Sequence, residues 1–128
     1  MPIKVEIAPG ELVDKITILE IKLERITDPI KRQNITLEYQ VLTQAFDTNI
    51  ERTFVLNELL SELKEINGRL WSIEDHIRDL ERASDFGPEF VAVARSVYRT
   101  NDERAAIKRK INELLNSTIV EEKSYAQY

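Results

Sequence analysis

The sequence predicts an all-α protein, a helical bundle of four to five helices with a long antiparallel hairpin. Three observations carry that expectation. Apolar residues recur every three or four positions in four successive segments. The chain holds three glycines and four prolines, and most of them fall between those segments. Its 128 residues are 42% hydrophobic, enough for one domain with a core and too few for two. A single helical domain over residues 1–128 is expected, with a strand-like lead at 1–9, helices over 11–116 and a tail at 117–128.

In the lead, Ile3, Val5 and Ile7 alternate with Lys4 and Glu6 between Pro2 and Pro9. Period two reads as a short strand. Ile119-Val120 in the tail is its expected partner, giving a minor two-stranded element at the termini. Helix one begins near Glu11. Leu12, Ile16, Leu19, Leu23 and Ile26 step by 4, 3, 4 and 3, which is a packing seam. Val13, Ile18 and Ile21 lie off that seam. Either this helix is central and covered on several sides, or these three residues form a second face for a partner. Asp28-Pro29 opens helix two, with Asp28 as N-cap and Pro29 at the first helical position. Its stripe is Ile35, Tyr39, Leu42 and Phe46, and it stops near Asp47.

Thr48 and Glu51 have the spacing of a capping box, so helix three is expected over 49–83, about 50 Å long. Its seam is the most regular in the chain, running from Leu56 through Leu63 and Leu70 to Leu80. Only Gly68 interrupts its propensity. Ser84–Pro88 reads as a turn, and Pro88 opens helix four. That helix runs towards Asn116, a residue that tolerates the left-handed conformation ending a helix. A second capping box, Thr100 to Glu103, leaves open whether helix four is continuous or restarts there.

The composition removes whole classes of chemistry. With no Cys and one His, disulfides, Cys-based zinc sites and Cys nucleophiles are out, and no glycine-rich phosphate loop is present. Eighteen Lys and Arg against 23 Asp and Glu leave a net charge of −5 and a pI near 5.0, which argues against nucleic acid as a partner. No run approaches the roughly 20 apolar residues of a membrane span. The N-terminus lacks the basic start and apolar run of a signal peptide. The expectations are a cytoplasmic protein with no membrane partner, no cofactor, no metal site and no catalytic residues.

One constellation stands out. If helix four is continuous, Asn101, Arg104 and Lys108 fall within its apolar stripe. Cations facing a bundle interior need carboxylates or a bound anion. Glu74, Asp75, Glu20 and Glu24 are candidate protein partners. A candidate anion site would be Asn101, Arg104 and Lys108, joined by Trp71 and Arg78. If the helix restarts at Thr100, the two cations are ordinary flank residues. His76 reads as a solvated surface residue. The helix lengths add a second expectation. Helices one and two are each about 26 Å, while three and four are about 40–50 Å. A short hairpin cannot cover a long one, so the uncovered stripe predicts a homo-oligomer, a dimer first, while a separate protein partner would use the apolar face of helix one or the acidic, aromatic tail.

The run Gly10-Glu11-Leu12-Val13-Asp14-Lys15-Ile16-Thr17-Ile18-Leu19-Glu20-Ile21-Lys22 resembles the N-terminal signature of an uncharacterised bacterial family, a domain of unknown function. The likeness continues through Asn67, Leu70-Trp71, Ile73-Glu74-Asp75, Ile77-Arg78, Asn101-Asp102, Arg104-Ala105 and Ile107-Lys108-Arg109. It closes on Ile119-Val120-Glu121-Glu122-Lys123-Ser124-Tyr125. It implies that Asp14, Trp71, Arg78, Arg104 and Lys108 belong to a family pattern; it implies no activity, ligand or catalytic residue. Helix one is also similar, more distantly, to the opening helix of helical chorismate mutases, which hold a dicarboxylate with Arg and Lys from several helices. Where those enzymes place a basic residue early in that helix, this chain has Glu11 and Asp14. The two functional expectations are thus a non-catalytic oligomeric interaction or scaffold protein, and a small anion-binding protein or chorismate-mutase-like enzyme with an interhelical Arg/Lys site.

Overall fold

A computed structural model describes all 128 residues. Four helices follow one another: α1 (Pro9–Arg25), α2 (Pro29–Asn49), α3 (Phe54–Arg82) and α4 (Pro88–Leu114). The fold is an all-α bundle in which α3 and α4 form the long antiparallel hairpin. The α1 helix is the hub, packed against each of the other three, and α2 runs alongside α1 alone. No helix is long and apolar enough to cross a membrane.

Each boundary has a local cause. Ala8 precedes α1 and offers no side-chain cap, so the Gly10 N–H instead donates to Asn112 Oδ1 of α4 at 2.7 Å. At the other end of α1, Arg32 of α2 donates to the carbonyls of Leu23 and Ile26. Asp28 caps α2 as expected, accepting from the N–H groups of Ile30 and Lys31 at 2.9 and 3.2 Å. Helix α3 begins later than the sequence pattern suggests. Thr48 and Glu51 form no capping box: α2 winds on through Asn49, and Thr53 caps α3, accepting from Leu56 N–H at 3.2 Å. The α3 helix is therefore 29 residues, about 43 Å. Thr100 starts nothing either; it is buried inside a continuous α4. Both hairpin helices end on a residue in the left-handed region, Ser84 (φ 54°) and Asn116 (φ 55°). There the N–H groups of Asp85 and Ser117 return to the carbonyls of Leu80 and Asn112.

The core joins one face of α1 (Leu12, Val13, Ile16) to Phe46 of α2, to Leu56, Leu63 and Ile66 of α3 and to Ile107 and Ile111 of α4. It thus occupies one half of the hairpin. In the other half, between Ser72 and Arg99, only Leu80 and Val93 are buried, while Ile73 and Ile77 are half-exposed. This is the uncovered stripe that the helix lengths predict.

The terminal two-stranded element is absent. No residue lies in a strand, and Ile3 and Val5 are 78% and 72% exposed. Alternation alone holds no strand without a partner, and the tail pairs elsewhere. Val13 and Ile21 are core residues at 1% and 2% exposure, and Ile18 is half-buried. The off-seam face of α1 therefore belongs to the bundle and offers no surface to a partner, because three helices surround it.

Candidate functional site

Where α1, α3 and α4 meet, a polar network runs through the bundle. Gly10, Asp14 and Thr17 step by 4 and 3 along α1, a face of small and polar residues. Thr100, Arg104 and Lys108 climb the opposing face of α4. Asp14, 1% exposed, receives Arg104 in a bidentate pair: Nε donates to Oδ1 at 2.9 Å and Nη2 to Oδ2. Asn67 of α3 adds Nδ2 bonds to Asp14 Oδ1 at 2.9 Å and to Thr17 Oγ at 3.0 Å. Thr17 in turn donates to the Asp14 carbonyl at 2.8 Å. One turn further along α4, Lys108 Nζ lies 2.8 Å from Glu11 Oε2 and 2.9 Å from Glu121 Oε2 in the tail.

The backbone approach here is close. A Cβ on Gly10 would sit 2.7 Å from the Lys108 carbonyl oxygen and 2.8 Å from Asn112 Oδ1. Glycine is what lets α1 touch α4, and the contact is tied by the Gly10–Asn112 bond. No buried side-chain nitrogen or oxygen is left without a partner.

The electrostatics follow from this pairing. The Asp14 hydrogen bond outweighs desolvation and raises the Arg104 pKa further above its ordinary value. Burial pulls the Lys108 pKa down, but the hydrogen bonds it donates to Glu11 and Glu121 prevail and hold it above 10.5. The hydrogen bond from Lys108 holds the Glu121 carboxyl below 4.5 against partial desolvation.

The tail (117–128) doubles back along α4. Besides the Glu121–Lys108 pair, Tyr128 donates to Asp102, stacks near Tyr98 and lies under Arg99. Two open grooves result. One, about 500 Å³, is lined by Lys108, Arg109, Asn112, Ser117, Glu121 and Lys123. The other, about 1010 Å³, lies between Tyr98, Asn101, Asp102, Tyr125 and Tyr128.

The predicted site residues therefore separate. Arg104 and Lys108 do face the interior, one turn apart, and both meet carboxylates. Asn101 turns to the second groove. Trp71 and Arg78 take no part: Trp71 lies under Arg25 at 5.8 Å, and Arg78 pairs at 3.1 Å with Glu74 on its own helix. Arg78 is eleven residues beyond Asn67, about 16 Å along α3. The carboxylates that meet these cations also differ from the candidates Glu20, Glu24, Glu74 and Asp75. Glu24 pairs with Lys64 and Glu74 with Arg78, while Glu11, Asp14 and Glu121 are the real partners. Sequence carried a signal for Asp14, since an acidic residue within the apolar run of helix one must meet a cation. For Asn67 the only signal is its place in the family likeness, because a lone amide on an amphipathic helix is unremarkable by pattern, and the same holds for Asn112. His76 is exposed and lies 2.9 Å from Glu89 across the hairpin. No group of three or more His, Asp or Glu side chains converges in metal-binding geometry.

Residues 3–128 match the model of a family of unknown function, DUF6165, and the chain belongs to that family. No curated protein and no solved structure gives a significant match.

Proposed function

We propose that this family member is a self-associating interaction or scaffold protein with no chemistry of its own, and that the Arg104/Lys108 network is a lock holding α1 in register on α4. The observation carrying this reading is surface area. The protomer exposes 9166 Å², whereas a compact monomer of 14.9 kDa exposes about 7,000 Å² by the usual mass scaling. Part of the excess is the extended termini. The rest is helix surface left uncovered, since only 22 of 128 residues are buried. A standard interface hides about 800 Å² per partner, and exposed apolar residues on the helices, among them Ile30, Leu37, Val41, Phe54 and Val91, are surface such a contact would cover. Bidentate and twofold pairing of the interior cations supports the absence of chemistry. Asp14 and Glu11 stand where a bound dicarboxylate would have to be, which weighs against a chorismate-mutase-like enzyme.

Sedimentation equilibrium over a micromolar range tests this reading. A mass at a multiple of 14.9 kDa is expected. A single 14.9 kDa species at every concentration would overturn it.

One observation favours the anion-binding alternative: Lys108, Arg109 and Lys123 line the same groove. A thermal-shift panel of small carboxylates and phosphates separates the two. A flat response is expected of the scaffold, and a saturable rise that vanishes in Lys123→Gln would favour the anion site.

A further inference from the structure

Helix α2 has two seams. The inner one, Ile35, Tyr39, Leu42 and Phe46, faces the core. The outer one is Ile30, Asn34, Leu37, Val41, Gln44 and Thr48, which step by 4, 3, 4, 3 and 4. That is the alternation of core positions in a two-stranded coiled coil. At 100° per residue the two seams lie about 150° apart, nearly opposite. All six outer residues are exposed, with Ile30, Leu37 and Val41 at 72%, 63% and 58%.

The charge distribution says what covers this face. Gln33, Gln40 and Ala45 join the six outer residues in a sector roughly 140° wide, and none of the nine is charged. In a chain that is 32% charged, about three would be expected. The four charged residues of α2 lie outside it: Lys31, Glu38 and Asp47 beyond its edges, and Arg32 turned onto the carbonyls of α1. A charged partner would find nothing to pair with here. A membrane-surface helix would carry Lys and Arg flanking larger apolar residues, and this face carries amides and hydroxyls. A second copy fits, because an uncharged face meets itself without like-charge repulsion.

Geometry agrees. The backbone of α2 approaches only α1, so its outer side is free along the 21-residue helix, about 31 Å. Two such helices side by side give six layers of seam residues. In an antiparallel pair centred near Tyr39, Leu37 meets Val41, Asn34 meets Gln44 and Ile30 meets Thr48. In a parallel pair each meets its own copy, with Asn34 as the register-setting amide.

We infer that this outer seam of α2 is a homodimer interface, a coiled-coil contact between two copies of the chain. The inference rests on the self-associating reading above and names its surface. The absence of Cys makes the test clean. Wild type, Leu37→Lys and Val41→Lys are compared by light scattering at matched concentrations, with circular dichroism to confirm unchanged helix content. Both positions are exposed in the protomer, so neither substitution disturbs the core. Leu37→Cys and Val91→Cys, the latter exposed on α4, are then oxidised.

The expected result is a wild-type dimer, monomeric Lys variants, and a disulfide across the seam, from Leu37→Cys to itself in a parallel pair or from Leu37→Cys to Val41→Cys in an antiparallel pair, with none for Val91→Cys. If wild type is dimeric, the Lys variants stay dimeric and neither Leu37→Cys alone nor its mixture with Val41→Cys cross-links, the seam is wrong while self-association stands. If wild type is monomeric throughout, both readings fall. Mixing Leu37→Cys with Val41→Cys reads the orientation: heterodimeric cross-links in excess of either homodimer mark the antiparallel pair.

Discussion

Asp14 holds a core position between Val13 and Ile16, where an unpaired carboxylate could not remain. It stays because Arg104 and Asn67 deliver three donors to its two oxygens. Such pairs add little net stability over an apolar isostere, but removing one partner strands the other. Asp14→Asn should therefore lower the unfolding free energy by about 3 kcal/mol in urea titrations. The double variant Asp14→Leu/Arg104→Leu should recover most of that loss; a double variant as unstable as the sum of its singles would show that the pair is not coupled. The glycines make the complementary case. Gly10→Ala drives a methyl into the Lys108 carbonyl and should destabilise by about 1–3 kcal/mol. A Cβ on Gly68 would meet only the Arg25 guanidinium at 3.7 Å. Gly68→Ala should accordingly stabilise by up to about 1 kcal/mol through helix propensity, and a lower melting temperature would contradict the open space seen there.

At the scale of elements, the apolar seams of all four helices were legible in the sequence, because burial and helical period act together on the same residues. Asp28-Pro29 and Asn116 were legible too, each satisfying a backbone need of its own end. The start of α3 was not. Thr48–Glu51 and Thr53 both offer a capping hydroxyl, and local chemistry cannot choose between them; α2 winds on through Asn49, with the Ile50 N–H still donating to the Phe46 carbonyl, so Thr48 lies inside that helix and Thr53 caps α3. The strand-like lead failed for the converse reason, since alternation describes a strand only where a partner exists. The interior cations of α4 were visible as a phase conflict, but their partners were not, because pairing α1 with α4 is a long-range choice. The cap assignment has a direct check. Thr53→Ala should cost about 1 kcal/mol, whereas Glu51→Ala should leave stability within a few tenths. Equal losses from the two would restore the earlier cap.

At the scale of the whole molecule, the tail closes a circuit that begins at the N-terminus. Glu11 of α1, Lys108 of α4 and Glu121 of the tail form one chain of charge, with Lys15, Arg104, Asp14 and Lys123 around it. The two partners of the tail contact titrate in opposite senses. Glu121 has a depressed folded pKa, so its contribution is present above 4.5 and is lost as pH falls through the lower folded value. Lys108 has a raised folded pKa, so its contribution is present below 10.5 and is lost only as pH rises through the higher value. Tail docking should consequently be flat across neutral pH and fail first on acidification, below the ordinary glutamate range. Hydrogen exchange across residues 117–128, followed as pH is lowered and corrected for intrinsic rates, reads this directly. Glu121→Gln should show the acid-released exchange pattern already at neutral pH, while Glu122→Gln, whose carboxylate is 3.9 Å from Arg109 and largely exposed, should not. If Glu121→Gln stays protected at neutral pH and still opens at the same acid midpoint, the Lys108 contact is not what holds the tail, and the Tyr128–Asp102 bond at its far end must be.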